Sequence, residues 1–174
     1  MINLVVFSWG LAMGGATIHL GTLDWRDANW AEALYPVDMP PEWRLAYFST
    51  RFSCVWLPYQ AWKDTAIAEA VAWLEDTHDG FRFLLEAGAG ASGHERELLS
   101  ILAPRLAAYC PVEHGDLLWF GMGVNLRDLT CTLESRAANS RSTYLISRDG
   151  DMATLEKVDT LLGLLDLGQA GRVG

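Results

Sequence analysis

Phe81-Arg82-Phe83-Leu84-Leu85-Glu86-Ala87 runs directly into Gly88-Ala89-Gly90-Ala91-Ser92-Gly93 and then into a long stretch of helical composition. The first seven residues form a short, continuous apolar run, as expected of a strand covered on both faces. Ser92 and Glu95 stand three apart, the spacing of a capping box. The segment therefore reads strand, loop, helix, with the helix expected over Glu95 to Tyr109. Two earlier stretches have the same order. Thr17 to Thr22 reads as a buried strand, followed by loop and short helix over 23–40. Pro41 suits the first turn of a helix from Glu42 to Arg51, which places Trp43, Ala46, Tyr47 and Thr50 on one face. Cys54 to Leu57 is a second apolar run, stopped by Pro58. Asp64 is placed to cap a helix through Asp76 with Ile67, Val71 and Leu74 in its core stripe. Leu117 to Gly121 is a fourth strand. Strand-then-helix units in succession predict an α/β domain with parallel pairing, either a truncated TIM-barrel-like sheet or an open one flanked by helices.

Beyond residue 123 two readings stand side by side. Leu126, Leu129 and Leu133 fit a helix. Leu129, Cys131 and Leu133, alternating with Thr130, Thr132 and Glu134, fit a half-buried strand. With Thr143 to Ser147 as a further strand, the second reading gives a C-terminal β-hairpin. A helix from Thr154 to Leu167 closes the domain, which is expected over 17–168, and 169–174 reads as a frayed tail. Residues 1–16 carry no charged side chain and are broken by Gly10, Gly14 and Gly15. They have no basic start of a secretory signal and are too short to span a bilayer. They read either as an extra strand on Leu4-Val5-Val6-Phe7 or, preferably, as an over-extended start with Met13 as the true beginning.

Charge excludes several partners. Thirteen basic against 22 acidic residues leave −9, and only Lys63 and Lys157 are lysines. Such a surface repels phosphate backbones, so neither nucleic acid nor an anionic membrane is expected as a partner. Cys54, Cys110 and Cys131 are odd in number and far apart. They read as reduced, part-buried thiols of a cytoplasmic protein. His19, His78, His94 and His114 are scattered without ligand spacing, so no metal or cofactor is expected.

Ile18-His19-Leu20-Gly21-Thr22-Leu23-Asp24-Trp25, then Trp30, Leu34-Tyr35-Pro36, Met39-Pro40, Arg44-Leu45-Ala46-Tyr47-Phe48 and Phe52, resemble the opening of the YecE-like family, domain of unknown function 72. Residues 81–87 are similar to that family's next strand. The resemblance implies a TIM-barrel-like fold with no established reaction. Family members usually follow the second strand with a Glu-Ile-Asn-Ser/Thr-type segment at the barrel mouth. Here Trp56, Leu57, Pro58 and Tyr59 stand instead. The chain is also shorter than the roughly 200–250 residues of a full barrel.

Ligands of parallel α/β sheets collect beyond the strand C-termini. That rule selects Asp24, Trp25 and Asp27 after the first strand, Tyr59, Gln60 and Trp62 after the second, Glu86 at the third, and Met122 and Asn125 near the fourth. Asp24 and Glu86 are the candidate catalytic residues, a carboxylate pair across neighbouring strand ends that divides acid and base roles. The bland alternative is a turn-capping aspartate and a glutamate paired with Arg82. Trp25, Tyr59, Gln60, Trp62 and Asn125 are the candidate ligand contacts. Gly90, Ser92 and Gly93, in a literal GxGxxG at a helix start, are a candidate phosphate or anion site, although the capping box accounts for the serine.

Ten of the nineteen aromatic residues fall between Trp25 and Trp62. Helical spacing puts Trp43 and Trp73 in the core, whereas Trp25 and Trp62, in loops, are the surface candidates. Together these features favour a binding or interaction domain, with a homodimer or a protein partner expected through a tryptophan-rich face. The alternative is an acid–base enzyme acting on a small polar metabolite, such as a sugar or phosphorylated compound.

Overall fold

The computed structural model describes residues 16–165, the side chains of residues 28 and 29 aside. The expectations for residues 1–15 and for 166–174 lie outside the described residues. Six strands form one sheet: β1 (Ile18–Leu23), β2 (Cys54–Leu57), β3 (Arg82–Glu86), β4 (Leu106–Cys110), β5 (Leu117–Phe120) and β6 (Thr143–Ser147). Their order is β4-β3-β2-β1-β6-β5, and every pair is parallel. The helices are α1 (Ala28–Leu34), α2 (Arg44–Arg51), α3 (Tyr59–Trp62), α4 (Ile67–Glu75), α5 (Gly93–Leu102), α6 (Leu126–Ala138) and α7 (Met152–Leu165).

This order is circular, with an opening between β4 and β5. Laid flat, the two edges would stand about 24 Å apart at the usual strand spacing. Residues 111–116 alone join them, in two tight turns closed by His114 N–H to the Pro111 carbonyl and Leu117 N–H to the His114 carbonyl. Even fully extended, such a link reaches only about 25 Å, and it must also return along the length of a strand. The sheet is therefore curled into a half-barrel. Across its concave side the Trp56 ring of β2 meets the Trp119 ring of β5 edge-on at 5.4 Å, three strands apart in the order.

Two apolar layers follow from strand alternation. The convex layer holds Leu20, Val55, Leu57, Phe83, Leu85 and Leu145 under helix residues such as Phe48, Trp73, Leu98, Leu133 and Val158. The concave layer holds Cys54, Trp56, Leu84, Cys110, Leu117 and Ile146. Gly21 belongs to the tightest approach in the sheet. A Cβ there would lie 2.7 Å from the Cys54 carbonyl carbon and 2.8 Å from its Sγ, with the carbonyl oxygen nearer still.

Several sequence expectations are corrected. The helix expected over Glu95 to Tyr109 stops at Leu102. Pro104 cannot continue it, and Leu106–Cys110 instead pairs with β3 as an edge strand. The hairpin reading of 126–147 is overturned. Asn125 accepts hydrogen bonds from Arg127 N–H and Asp128 N–H and caps α6. The threonines that favoured a strand return their hydroxyls to the carbonyls of Leu126 and Asp128. α4 begins at Ile67 with no side-chain cap, and Asp64 pairs with Lys63 instead. Its buried residues are Ala70 and Trp73, and Val71 is exposed. α2 likewise turns Leu45, Phe48 and Ser49 inward, leaving Trp43 64% exposed in the single 3-10 turn before it. Cys54 and Cys110 are buried and Cys131 is exposed.

Candidate functional site

The strand C-termini form the mouth of the half-barrel, and the candidate residues gather there in two clusters. In the first, Asp24 follows β1 and accepts three hydrogen bonds from Arg26. These come from its N–H at 3.1 Å, Nε at 2.9 Å and Nη2 at 3.1 Å. Arg26 also donates to the Ala61 carbonyl and lies over the rings of Trp25 and Trp73. Trp25 is itself buried, edge-on to Trp73 at 4.9 Å, and its carbonyl takes the Tyr35 hydroxyl at 2.6 Å.

The second cluster links three elements. Glu86, last in β3, accepts the Tyr59 N–H at Oε2 (2.8 Å), and its carbonyl takes the Trp62 indole N–H (3.1 Å). Together these bonds fasten α3 to β3. The Tyr59 ring packs on Gly88, where a Cβ would come within 2.5 Å of it. The Tyr59 hydroxyl bonds Glu95, and this bond, with the Ser92 backbone, holds the Glu95 carboxyl below the usual carboxylate range. Glu95 in turn accepts from Ser92 N–H, and its own N–H donates to Ser92 Oγ, so the capping box is complete.

The structure thus joins Tyr59, Trp62, Glu86 and Ser92 and separately joins Asp24 with Trp25. It does not bring Asp24 and Glu86 together as neighbours: β2 stands between their strands, a separation of about 10 Å by strand spacing. Glu86 is held by Tyr59 rather than by Arg82, whose guanidinium bonds the carbonyls of Asp79 and Phe81. Trp25 and Trp62, expected at the surface, are buried, because α3 and the loop after β1 fold back over the convex layer. Gln60 is exposed in α3, Asn125 is spent on capping α6, and Gly90 and Gly93 have open space where a side chain would be.

Sequence reasoning missed the residues after β6. Arg148 lays its guanidinium over the Trp119 ring, 5.3 Å from the centroid, and makes no ion pair among the described residues. Asp149 accepts from Met122 N–H (2.6 Å), Ser147 Oγ and Asp151 N–H, and these bonds, Met122's foremost, hold its carboxyl below the usual range. Asp149-Gly150, with Gly150 at φ +62°, is the turn signal that marked this loop. Among the described residues no group of three or more His, Cys, Asp and Glu is placed to hold a metal, and no helix is long and apolar enough to cross a membrane.

The fold and mouth define an α/β half-barrel of parallel strands with its candidate site at the strand C-termini. Residues 19–137 match the family described as protein of unknown function DUF72, and the chain belongs to that family. It is also similar to a solved DUF72 family protein from Enterococcus faecalis, at 13% identity and a TM-score of 0.38. That match covers 87% of this chain and 59% of the other, so the chain spans less than two thirds of that relative. No curated protein matches.

Proposed function

We propose that the chain works as a binding domain for a small anionic ligand at its mouth rather than as an acid–base enzyme. The observation that carries this is the contrast between the mouth's acids and its arginine. Asp24 is occupied by Arg26 and Glu86 by Tyr59 N–H, whereas Arg148 lies on Trp119 with no acidic partner among the described residues. A guanidinium over an indole keeps N–H donors for an acid group, and the indole offers a face for an apolar or sugar body. The alternative, acid–base chemistry, keeps one supporting feature: among the described residues Glu86 Oε1 has no hydrogen bond, while Oε2 takes the Tyr59 N–H.

A thermal-shift screen of carboxylated and phosphorylated metabolites tests both readings. The binding reading expects hits that raise the melting temperature of the wild type and of Glu86→Gln but not of Arg148→Ala. Turnover of any hit that is abolished in Glu86→Gln overturns it in favour of the enzyme, and an Arg148→Ala variant that keeps every hit overturns the site.

A further inference from the structure

Closed eight-stranded barrels often hold a phosphate group between the loops that follow their last two strands. The circular order of this sheet gives β5 and β6 those two places, next to β1. Their loops do carry converging donors, as a bound anion requires. The Met122 N–H comes from the loop after β5, and Ser147 Oγ and the Asp151 N–H come from the end of β6 and the loop after it. All three donate to the Asp149 carboxylate, at 2.6, 3.2 and 3.2 Å. Gly121 leaves room for it, since a Cβ there would stand 2.9 Å from Asp149 Oδ2. The chain thus fills its own anion nest with a carboxylate. Arg148, one residue before, lies over Trp119 and makes no ion pair with Asp149. Two exposed apolar side chains flank this pair. The Val112 carbonyl takes the Trp119 indole N–H at 3.0 Å, and Met122 is bonded to the residue after Arg148.

We infer that Asp149 sets the class of ligand at the mouth: the site takes the carboxylate of a monoanion with an aromatic body and discriminates against phosphate esters. This rests on the reading of Arg148 as the anion's partner and narrows it. A guanidinium pairs with a carboxylate through two parallel N–H···O bonds, which serve both oxygens and the single charge. A phosphate ester brings a third oxygen and a second charge. The loop donors that would receive them are already spent on Asp149. Bringing the extra charge out of water without those donors weakens the ester's binding. The body of the ligand lies against Val112 and Met122, where an aromatic ring gains a thioether contact. Asp149 itself touches no ligand and acts through the donors it occupies.

Phenylacetate and phenyl phosphate share a ring and differ in the acid group, so they test the inference directly. Each is titrated into nitrogen-15-labelled chain at about pH 7.5, where the phosphate ester is a dianion. The readout is the Trp119 indole N–H and Arg148 Nε–H signals, assigned through Trp119→Phe and Arg148→Ala. The wild type should bind phenylacetate about tenfold more tightly than phenyl phosphate. Asp149→Ala frees the three donors and should bring phenyl phosphate level with phenylacetate or ahead of it. Asp149→Asn keeps an acceptor for the Met122 N–H, so it holds the loops in place and should shift the ratio the same way by less. Phenyl phosphate binding the wild type as tightly as phenylacetate overturns the inference alone, as does a ratio unchanged in both Asp149 variants. Either result leaves Arg148 as the anion's partner. Trp119 and Arg148 signals that respond to neither probe overturn the inference and the reading of the mouth together.

Discussion

His19 lies on the concave side of β1, 5% exposed, with its ring stacked on Tyr144 at 4.9 Å and 23° and its Nδ1 buried without a hydrogen-bond partner. Burial foremost, and then the positive charge of Arg82, lower its pKa from 6.5 to about 4 against the pull of a bond to the Ser53 backbone. The folded chain thus refuses a proton that the unfolded chain takes up below 6.5. Stability is unaffected above that value, falls as the pH drops from 6.5 towards 4, and bears the whole penalty below 4. At about 1.4 kcal/mol per pH unit, the gap between 6.5 and about 4 comes to about 3 kcal/mol. This is a large share of the usual 5–15 kcal/mol of a domain, by the general range for folded proteins of roughly that stability. His19→Phe keeps a ring against Tyr144 and removes both the titration and the orphaned nitrogen, at the loss of the Ser53 bond. The variant should lie within about 1 kcal/mol of the wild type at neutral pH, since a net hydrogen bond and a relieved desolvation are of similar size. Urea unfolding followed by circular dichroism at a series of pH values between 7.5 and 4.5 measures the difference. Groups common to both chains cancel. The wild type should lose stability across this window while the variant loses about one proton's worth less per pH unit. Parallel pH profiles for the two chains would refute the argument.

The tryptophans divide sharply. Trp73→Ala should cost about 3–5 kcal/mol, as buried aromatic truncations do, because its ring packs on Trp25 and Phe83. Trp43→Ala, at 64% exposure, should change stability by no more than about 0.5 kcal/mol, and denaturant melts of the two variants side by side check the contrast. Ser92→Ala removes the cap of α5 and should cost about 1 kcal/mol. If Ser92 serves the capping box rather than an anion, inorganic phosphate should shift the melting temperatures of the two chains equally, which the same thermal-shift format reads.

Much of the fold was legible in the sequence because its signals were local. β2 follows from a four-residue apolar run ended by Pro58, and α5 begins where Ser92 and Glu95 announce it. β4 was not legible. Leu106-Ala107-Ala108-Tyr109-Cys110 has helical propensity, and only pairing with β3 across a register shift makes it a strand. The rotated faces of α2 and α4 have a similar cause. Trp43 and Val71 sit at spacings that fit a core stripe, but the contacts with the sheet choose Phe48 instead of Trp43 and turn Val71 outward, while Trp73 is buried as its helical spacing implied. At the mouth, candidate positions could be read from strand ends, whereas their partners could not. That Glu86 serves Tyr59 depends on which strands are neighbours, and strand order is not written in any short segment, whereas Asp24 and Arg26 stand only two residues apart.

Strand order also bears on the altered segment after β2. A closed barrel of eight strands would place two more strands between β4 and β5 and enclose its own interior. In this half-barrel the circular order survives, so the concave layer must be covered by side chains reaching across it. Trp56 and Trp119 do this from opposite sides and meet at 5.4 Å, with Cys110, Leu117 and Ile146 packed around them. An acidic side chain at position 56 would stand in this apolar layer, where an unpaired carboxylate is costly. The Trp56 ring thus fills the concave side of the open barrel, and Arg148 lies over Trp119 at its rim.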